Sequence, residues 1–329
     1  MKVVTDELNI GMFTSRSFEM YFGGRSFAVF DIETTGLSLA SSSVMLSGIL
    51  MPDGDRCQTW QFFAEGPEDE EAILMKTYEI LDSVDYIVTF NGKHFDVPFI
   101  ENRGRKYGLN WHFAGYDLDL YLLVNGQPQI KSVLPNLKQK TVEIFMGVGS
   151  ERDDRINGGD SVDLYYRYLE RPSASLVKTI MLHNHDDIVQ LYRLMPIIAM
   201  CDLDRSMYRM GFQAGDYRIT KIGFSGRDLV CEGFQTTSPV DYISFPSEER
   251  PYSLNMNSKS AAFKLIVPGE CQSGAIYFDA RAILGENSEI ERYPSFADGY
   301  LIASDHGAVN HLEINAFLME FFIRISDRI

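Results

Sequence analysis

The sequence predicts an α/β fold in which a mixed sheet is covered by helices, followed by a smaller α+β element. Three observations support this prediction. Three runs of strand length come first, segments of helical length alternate with a further strand after them, and short apolar runs with glycine and proline dominate beyond residue 201. We therefore expect two domains, residues 1–200 and residues 201–329, as typical domain sizes allow.

The predicted elements of the first domain follow in chain order. The strands are a segment that ends at Asp31–Glu33, Ser43–Met51, Cys57–Phe63 and Asp85–Phe90. The helices are Pro67–Asp82, a segment after Gly92, one or two helices in Pro135–Phe145, a helix from Asp160 to Leu169, and Ser173–Met200 with a bend or end near Pro196. Between them, Glu151–Gly159 is predicted to be a polar, glycine-rich loop.

In the second domain, the predicted elements are short. Ala262–Val267, Gly274–Phe278 and Gly299–Ala303 are expected to be strands, and apolar residues recur at helical spacing in His311–Ile325. This part of the sequence indicates no particular function.

Composition places the chain among ordinary globular proteins, since 45% of its residues are hydrophobic and 23% are charged. The four cysteines are scattered, which argues against a zinc site or a disulfide framework. The N-terminal segment has no apolar core of signal-peptide length, and the apolar runs are too short to span a membrane. We therefore expect a cytoplasmic protein with no membrane partner.

The formal net charge of −16 argues against a protein that grips a long duplex by neutralising its phosphates. Any contact with nucleic acid should therefore be local. The basic residues that could make such a contact are Arg103, Arg105, Lys106, Lys131, Lys138 and Lys140.

Asp31 and Glu33 are the strongest candidates for functional residues. They follow the apolar run Phe27–Phe30 and precede a Thr-Thr-Gly turn. Because residues i and i+2 of a strand point to the same face, the two carboxylates should project together. Two adjacent like charges are costly unless a cation lies between them, so the pattern predicts a metal site at the end of this strand.

Two further carboxylates can complete this site. Asp96 lies near the start of the helix that follows the strand Asp85–Phe90, and Asp187 interrupts the apolar stripe of the long helix together with Asn184. An inward-facing Asp is expensive unless it is paired or binds a metal. Four carboxylates suit two divalent cations about 3.5–4 Å apart. Oxygen ligands favour Mg²⁺ or Mn²⁺ over zinc.

Simpler interpretations of these residues remain open. Asp96 could cap its helix, and Asp187 could pair with a basic neighbour. His183, one turn before Asp187, could be satisfied by a backbone carbonyl. Asp186 is expected to face solvent, and Asp117 and Asp119 are expected to be helix caps or loop acids.

The motifs resemble those of the DEDD 3′–5′ exonucleases, a family with the ribonuclease-H-like fold. The first family motif, Asp-x-Glu before Thr-Gly, is matched by residues 31–36, and the second, Asn-x-x-x-Phe-Asp, by residues 91–96. The third, a His or Tyr before an Asp on a helix, is approached by His183 and Asp187. Residues 134–194 further resemble the bacterial YprB-type branch of predicted exonucleases.

The resemblance, which covers roughly residues 24–200, implies a mixed five-stranded sheet and a metal-dependent 3′–5′ exonuclease. Such an enzyme would hydrolyse the ends of single-stranded DNA or RNA with two Mg²⁺ or Mn²⁺ ions. The implied site residues are the metal ligands Asp31, Glu33, Asp96 and Asp187, the general base His183, and the substrate contacts Thr34, Thr35, Asn91 and Asn184. One departure concerns His183, which is separated from Asp187 by three residues, the spacing of the family's Tyr type.

Two other functions are compatible with the sequence. A catalytically silent ribonuclease-H-like module could bind nucleic acid or a protein, with residues 201–329 as its working part. Such a module would have no reason to keep four buried acids. A hydrolase of small phosphodiesters would also be compatible with the acidic charge.

Overall fold

The computed structural model describes residues 1–148, 152–153, 156, 158–248 and 250–326. The chain divides into two compact units, Met1–Cys201 and Asp202–Ile329. Every helix in the described ranges is too short or too polar to cross a bilayer.

The first unit contains a mixed sheet. Its strands are β1 (Lys2–Leu8), β2 (Phe27–Thr34), β3 (Val44–Asp53), β4 (Arg56–Phe63), β5 (Tyr86–Thr89) and β6 (Tyr116–Asp119). They are ordered β1-β4-β3-β2-β5-β6, with antiparallel pairing from β1 to β2 and parallel pairing from β2 to β6. The predicted fold class, a mixed sheet flanked by helices, is therefore confirmed.

The helices of this unit lie between and after the strands. They are α1 (Arg16–Phe22), α2 (Glu70–Leu81), α3 (Asp96–Lys106), α4 (Leu120–Asn125), α5 (Pro128–Val133), α6 (Gln139–Met146), α7 (Gly158–Glu170) and α8 (Ala174–Arg193). Short 3₁₀ turns follow at Met195–Met200 and precede α2 at Pro67–Asp69. Helix α8 packs on β2 and β3, so it can bring side chains to the middle of the sheet.

The long helix ends at Arg193, three residues before Pro196 and thus close to it, as expected. The structure differs from the expected elements at three other places. Strand β1 adds a sixth strand at the edge of the sheet; it is mostly exposed, so it lacks the apolar alternation of a half-buried strand. Asp117, expected to be a helix cap or a loop acid, lies in strand β6. Helix α7 begins within the predicted loop, at Gly158, and residues 151, 154, 155 and 157 of that loop lie outside the described residues.

A buried ion pair joins α2, α3 and the start of β3. The carboxylate of Glu70 accepts hydrogen bonds from Nε and Nη2 of Arg103 at 2.7 and 2.5 Å, from the Tyr107 hydroxyl at 2.7 Å and from the Val44 backbone at 2.8 Å. Burial alone would raise the pKa of Glu70, but these hydrogen bonds outweigh it and the pKa is lowered. Arg103 is 2% exposed, so its predicted availability to nucleic acid is wrong.

The second unit is rich in strands. It contains α9 (Leu203–Met210), β7 (Phe212–Ala214), β8 (Tyr217–Ser225), β9 (Asp228–Gln235), β10 (Tyr242–Ser244), β11 (Ser253–Met256), β12 (Ala262–Val267), β13 (Glu270–Gln272), β14 (Ala275–Asp279), α10 (Ala280–Leu284), a 3₁₀ turn (Glu289–Arg292), β15 (Phe296–Ala297), β16 (Tyr300–Asp305), β17 (Ala308–Val309) and α11 (His311–Ser326). The strands form two antiparallel sheets, β10-β11-β12-β9-β8-β7 and β13-β14-β16-β15 with β17 beside β16. Helix α11 supplies the aromatic core of this unit, where Phe322 packs on Tyr217 and Phe263.

Candidate metal centre

The four candidate carboxylates lie on three elements of the first unit. Asp31 and Glu33 are in β2, Asp96 is the first residue of α3, and Asp187 is in α8. The pairing of β2 with β3 shifts register between Glu33 and Thr34, where the strand ends. Such irregularities often redirect side chains beside active sites.

Asp31 is held by a relay of two amides. Its Oδ2 accepts a hydrogen bond from Nδ2 of Asn184 at 2.9 Å. Oδ1 of Asn184 in turn accepts one from Nε2 of Gln61 at 2.9 Å, and Gln61 also donates to the carbonyl of Met181 at 2.8 Å. The relay fixes which end of the Asn184 amide faces Asp31.

A glycine makes room for this relay. Gly48 of β3 lies opposite Asp31 in the antiparallel register. A Cβ atom at this position would lie 2.1 Å from Oδ1 of Asn184. Because that distance is far below van der Waals contact, any larger residue here would displace the amide that orients Asp31.

The side chain of Asp96 is hydrogen-bonded to the backbone of β2, the strand that carries Asp31 and Glu33. Its Oδ1 accepts a hydrogen bond at 3.1 Å from the N–H of Ile32, the residue between Asp31 and Glu33. The carboxylate is 5% exposed. A helix-capping role is therefore replaced by a contact that ties the start of α3 to the end of β2.

Glu33, His183 and Asp187 form a compact group. Nε2 of His183 lies 3.5 Å from Oε1 of Glu33 and 3.5 Å from Oδ2 of Asp187. One ligand atom from each of these three residues lies within 4.8 Å of the others, a spacing that could hold one metal ion. His183 is 3% exposed and faces the carboxylates despite its Tyr-like spacing in the sequence.

Asp187 has a basic partner on its other side. Nη2 of Arg152 donates to Oδ1 of Asp187 at 2.6 Å. The same guanidinium makes two hydrogen bonds of 2.5 Å to the carboxylate of Glu143, a residue with no exposed surface. The predicted alternative for Asp187, pairing with a basic residue, is therefore present alongside its place in the group with Glu33 and His183.

Burial is the main reason that the carboxyl groups resist ionisation. It raises the pKa of Asp31 and of Glu33 well above the usual range, and the neighbouring carboxylates raise both further. The pKa of Asp96 is raised to about 7. Burial also raises the pKa of Asp187, although His183 and Arg152 oppose the shift. A divalent cation would relieve this repulsion, so the donor set fits a metal of the Mg²⁺ or Mn²⁺ type.

These shifts predict how the stability of the metal-free protein depends on pH. The folded state keeps protons on Asp31, Glu33, Asp96 and Asp187 that the unfolded state releases near pH 4. The free energy of unfolding should therefore fall as pH rises from about 4 through the Asp96 value of about 7. Mn²⁺ binds the ionised carboxylates and should stabilise the protein more at pH 8 than at pH 5.

Melting temperatures measured across this range, with EDTA and with Mn²⁺, check the prediction. Equal Mn²⁺ stabilisation at both ends of the range would contradict it. The control is a buffer without divalent cations in which Na⁺ matches the ionic strength of the Mn²⁺ sample. It separates specific binding of Mn²⁺ from general screening of charges.

Asp31, Glu33 and Asp187 line a cleft of about 480 Å³. Its wall includes Lys138 and Lys140 at the start of α6 and Leu37 in the turn after β2. The Nζ atom of Lys140 donates to the carbonyl of Ile156 at 2.6 Å. Two of the predicted basic residues thus lie beside the carboxylates.

The structure gives the four predicted substrate contacts different surroundings. Asn184 is fully buried between Asp31 and Gln61, and its substrate contact stays a prediction. The Thr34 hydroxyl donates to the carbonyl of Gly36 at 2.8 Å, and Oγ1 of Thr35 accepts from the N–H of Ser43 at 2.9 Å. Of the four, Thr34 lines the cleft.

Asn91 has a conformational role. It has a φ of +69°, a left-handed conformation that Asn adopts more readily than most residues. Its backbone N–H donates to Oδ1 of Asp119 at 2.8 Å. The same oxygen caps α4, as predicted for this acid, by accepting from the N–H groups of Tyr121 and Leu122.

Two other acids differ from their expected surroundings. Asp186 is 5% exposed and accepts a hydrogen bond from the backbone of Asp153 at 2.7 Å, so its predicted exposure to solvent is wrong. Asp117 is a strand residue whose Oδ1 accepts from the Thr89 hydroxyl at 2.7 Å. Burial raises the pKa of Asp117 to about 8.

Three residues of the site, Gln61, Gly48 and Arg152, were not anticipated from the sequence. Gln61 and Gly48 lie in strands whose pattern indicates only burial, and Arg152 lies in a polar loop. The signal that could have found Gln61 is its place at an inward position of a buried strand, where a polar side chain needs a partner.

Comparisons with known proteins place the chain in a family. A family model described as the RNase_H superfamily matches residues 28–199, just over half of the chain. The "Uncharacterized protein YprB" of Bacillus subtilis (strain 168) is 27% identical over 171 residues, which are 50% of this chain and 40% of YprB. Among solved structures, a family B DNA polymerase from the hyperthermophilic archaeon Pyrobaculum calidifontis is similar with a TM-score of 0.44 and 15% identity, covering 91% of this chain and 46% of the polymerase chain.

Proposed function

The chain belongs to the RNase_H superfamily, which indicates a nuclease or another role with nucleic acid, and from that premise we propose that it is a metal-dependent 3′–5′ exonuclease of the DEDD type. Its substrate would be the end of a single strand of DNA or RNA. The metal ligands would be Asp31, Glu33, Asp96 and Asp187.

The observation that carries the proposal is that Asp31, Glu33 and Asp187 line one open cleft, while Asp96 is hydrogen-bonded to the backbone of the strand that carries the first two. Burial is the main cause that holds the pKa values of the four carboxyl groups high. Divalent cations that replace the protons would compensate the buried negative charges and so stabilise the site. Two such cations, when bound, would neutralise the phosphate and supply the Lewis acidity for phosphodiester hydrolysis. A module that only binds partners would gain nothing from this arrangement.

The chain's own residues have separate parts in this chemistry. Nε2 of His183 points at Glu33 and Asp187, where it can accept the proton of the attacking water. Lys138 and Lys140 on the cleft wall can attract the phosphate backbone. The net charge of −16 leaves few other phosphate contacts, which favours short single-stranded ends over duplex.

Cleavage of end-labelled oligonucleotides tests the proposal. With Mn²⁺ and a 5′-labelled single strand, we expect a ladder that shortens from the 3′ end, whereas a 3′-labelled strand should release a labelled mononucleotide at once. Matched DNA, RNA and blunt duplex substrates rank the specificity, and EDTA provides the control. Binding of the strand without cleavage would favour a catalytically silent module, and hydrolysis of only bis(p-nitrophenyl) phosphate would favour a hydrolase of small diesters.

The role of His183 predicts a change in both rate and pH dependence. If His183 is the general base, His183→Ala should lower the cleavage rate by about 10²-fold. Toward acid pH, the activity of wild type should also fall more steeply than that of His183→Ala, because a protonated imidazole cannot accept a proton. The pH–rate profiles of both proteins check this. His185→Ala, two residues along and outside the cleft lining, is the control.

Superimposable acid limbs for wild type and His183→Ala would remove His183 from the mechanism. The carboxylates with raised pKa values would then account for the loss of activity at low pH.

A further inference from the structure

Arg152 contacts the candidate metal centre from outside the group of proposed metal ligands. Its guanidinium donates from Nη2 to Oδ1 of Asp187 at 2.6 Å, and its side chain is 7% exposed. The second oxygen of Asp187, Oδ2, lies on the other side, 3.5 Å from Nε2 of His183. One oxygen of Asp187 is thus held by Arg152 while the other faces Glu33 and His183.

We propose that Arg152 is a positioning residue, which holds the Asp187 carboxylate so that Oδ2 is presented to the metal centre. This role rests on the proposed function, because it matters only if Asp187 is a metal ligand. A carboxylate that rotates freely about its side-chain bonds would offer either oxygen, or neither, at the right place. The two hydrogen bonds from Arg152 to Glu143 fix the planar guanidinium, and the hydrogen bond from its Nη2 to Oδ1 then restricts the rotation of the Asp187 carboxylate.

The charge balance supports positioning over simple neutralisation. An unpaired guanidinium beside Asp187 would cancel the negative charge that attracts a cation. Arg152 also donates from Nε and Nη2 to the fully buried carboxylate of Glu143. Glu143 therefore offsets the positive charge of Arg152, so that less of this charge opposes the binding of a cation by Asp187.

A third residue holds this arrangement to α8. Nε2 of Gln139 donates to Oε1 of Glu143 and to the backbone carbonyl of Asp187, at 3.0 Å in each case. Helix α6, which carries Gln139 and Glu143, therefore holds both the guanidinium of Arg152 and the backbone of Asp187, the residue that Arg152 orients. The hydrogen-bonded residues Glu143, Arg152 and Asp187 resemble known metal sites, in which residues that do not touch the metal orient the carboxylates that bind it.

Mn²⁺ binding by the full chain, followed by electron paramagnetic resonance of the free ion, tests this role without measuring activity. Arg152→Gln should bind Mn²⁺ about 10–100-fold more weakly than wild type. Arg152→Lys keeps the charge but loses the fork, and should fall between the two. Arg324→Gln, which removes an Arg–Glu pair of the second unit, is the matched control and should bind as wild type does.

A double-variant cycle separates positioning from a merely structural contact. Glu143→Gln leaves the charge of Arg152 facing Asp187 alone, so it should also weaken Mn²⁺ binding. If Glu143 acts through Arg152, the double variant Arg152→Gln/Glu143→Gln should bind no more weakly than Arg152→Gln by itself. Circular dichroism confirms that each variant is folded, and Arg152→Lys supplies the comparison if Arg152→Gln is not.

The outcomes distinguish this role from the proposed function. Folded Arg152 variants that bind Mn²⁺ within about twofold of wild type would overturn the positioning role and leave the exonuclease proposal intact. A wild-type chain that binds no Mn²⁺ would overturn both.

Discussion

Replacing Asp31 with Asn should abolish Mn²⁺-dependent cleavage while leaving the protein folded. We expect the rate to fall by more than about 10²-fold, since even outer-shell partners of metal ligands can account for losses of that size. The amide can still accept the hydrogen bond from Asn184, so the local structure should persist. Without metal, the variant should be more stable than wild type at neutral pH, because a buried, repelled carboxyl group is removed.

Cleavage assays and thermal melts in EDTA measure both effects. The matched control is Asp117→Asn, since Asp117 is also buried and its pKa is raised to about 8, yet it lies outside the cleft lining. The control should share the gain in stability and keep wild-type cleavage. Full activity in purified Asp31→Asn would mean that the activity comes from another site or another protein.

Replacing Arg103 with Ala should lower the free energy of unfolding by about 3–5 kcal/mol, because Glu70 would be left as a buried charge without its partner. The substitution should also disturb the candidate metal centre. Oγ of Ser43 accepts a hydrogen bond from Nη2 of Arg103, and the backbone of Ser43 pairs with Thr35 in the turn that follows Glu33. We therefore expect weaker Mn²⁺ stabilisation as well as a lower melting temperature.

Denaturant unfolding of wild type and variant measures the effect. The control is Arg56→Ala, whose ion pair with Glu7 is exposed and should contribute no more than about 1 kcal/mol. If Glu70→Leu combined with Arg103→Met restores most of the stability, the loss in Arg103→Ala comes from the unpaired charge. Equal stability of Arg103→Ala and Arg56→Ala would contradict the prediction.

The sequence predicted the parts of the fold that rest on local pattern. Strand β12 coincides with the apolar run Ala262–Val267, and α11 starts at His311 as its spacing indicates. Strand β1 was missed because four of its seven residues are polar and most of them are exposed, so only its pairing with β4 reveals it. Edge strands of this kind carry little signal in hydrophobic periodicity.

In the candidate site too, the sequence predicted the features that depend on neighbouring residues and missed the contacts between residues far apart in the chain. The inward direction of Asn184 and Asp187 follows from the apolar stripe of α8, and the structure buries Asn184 completely. What Asn184 contacts could not be inferred, because Asp31 is 153 residues away and Gln61 is 123 residues away. Arg152 was assigned to a loop by its polar neighbours, since no periodicity connects it with Asp187, 35 residues later.

The left-handed backbone at Asn91 bears on how distant relatives of this chain should be recognised. A φ of +69° suits Gly at least as well as Asn, and the N–H that bonds Asp119 belongs to the backbone. A β-branched residue would be strained there by about 1–3 kcal/mol. We therefore expect functional homologues to carry Gly or Asp at this position as readily as Asn, and a search pattern that requires Asn would overlook them.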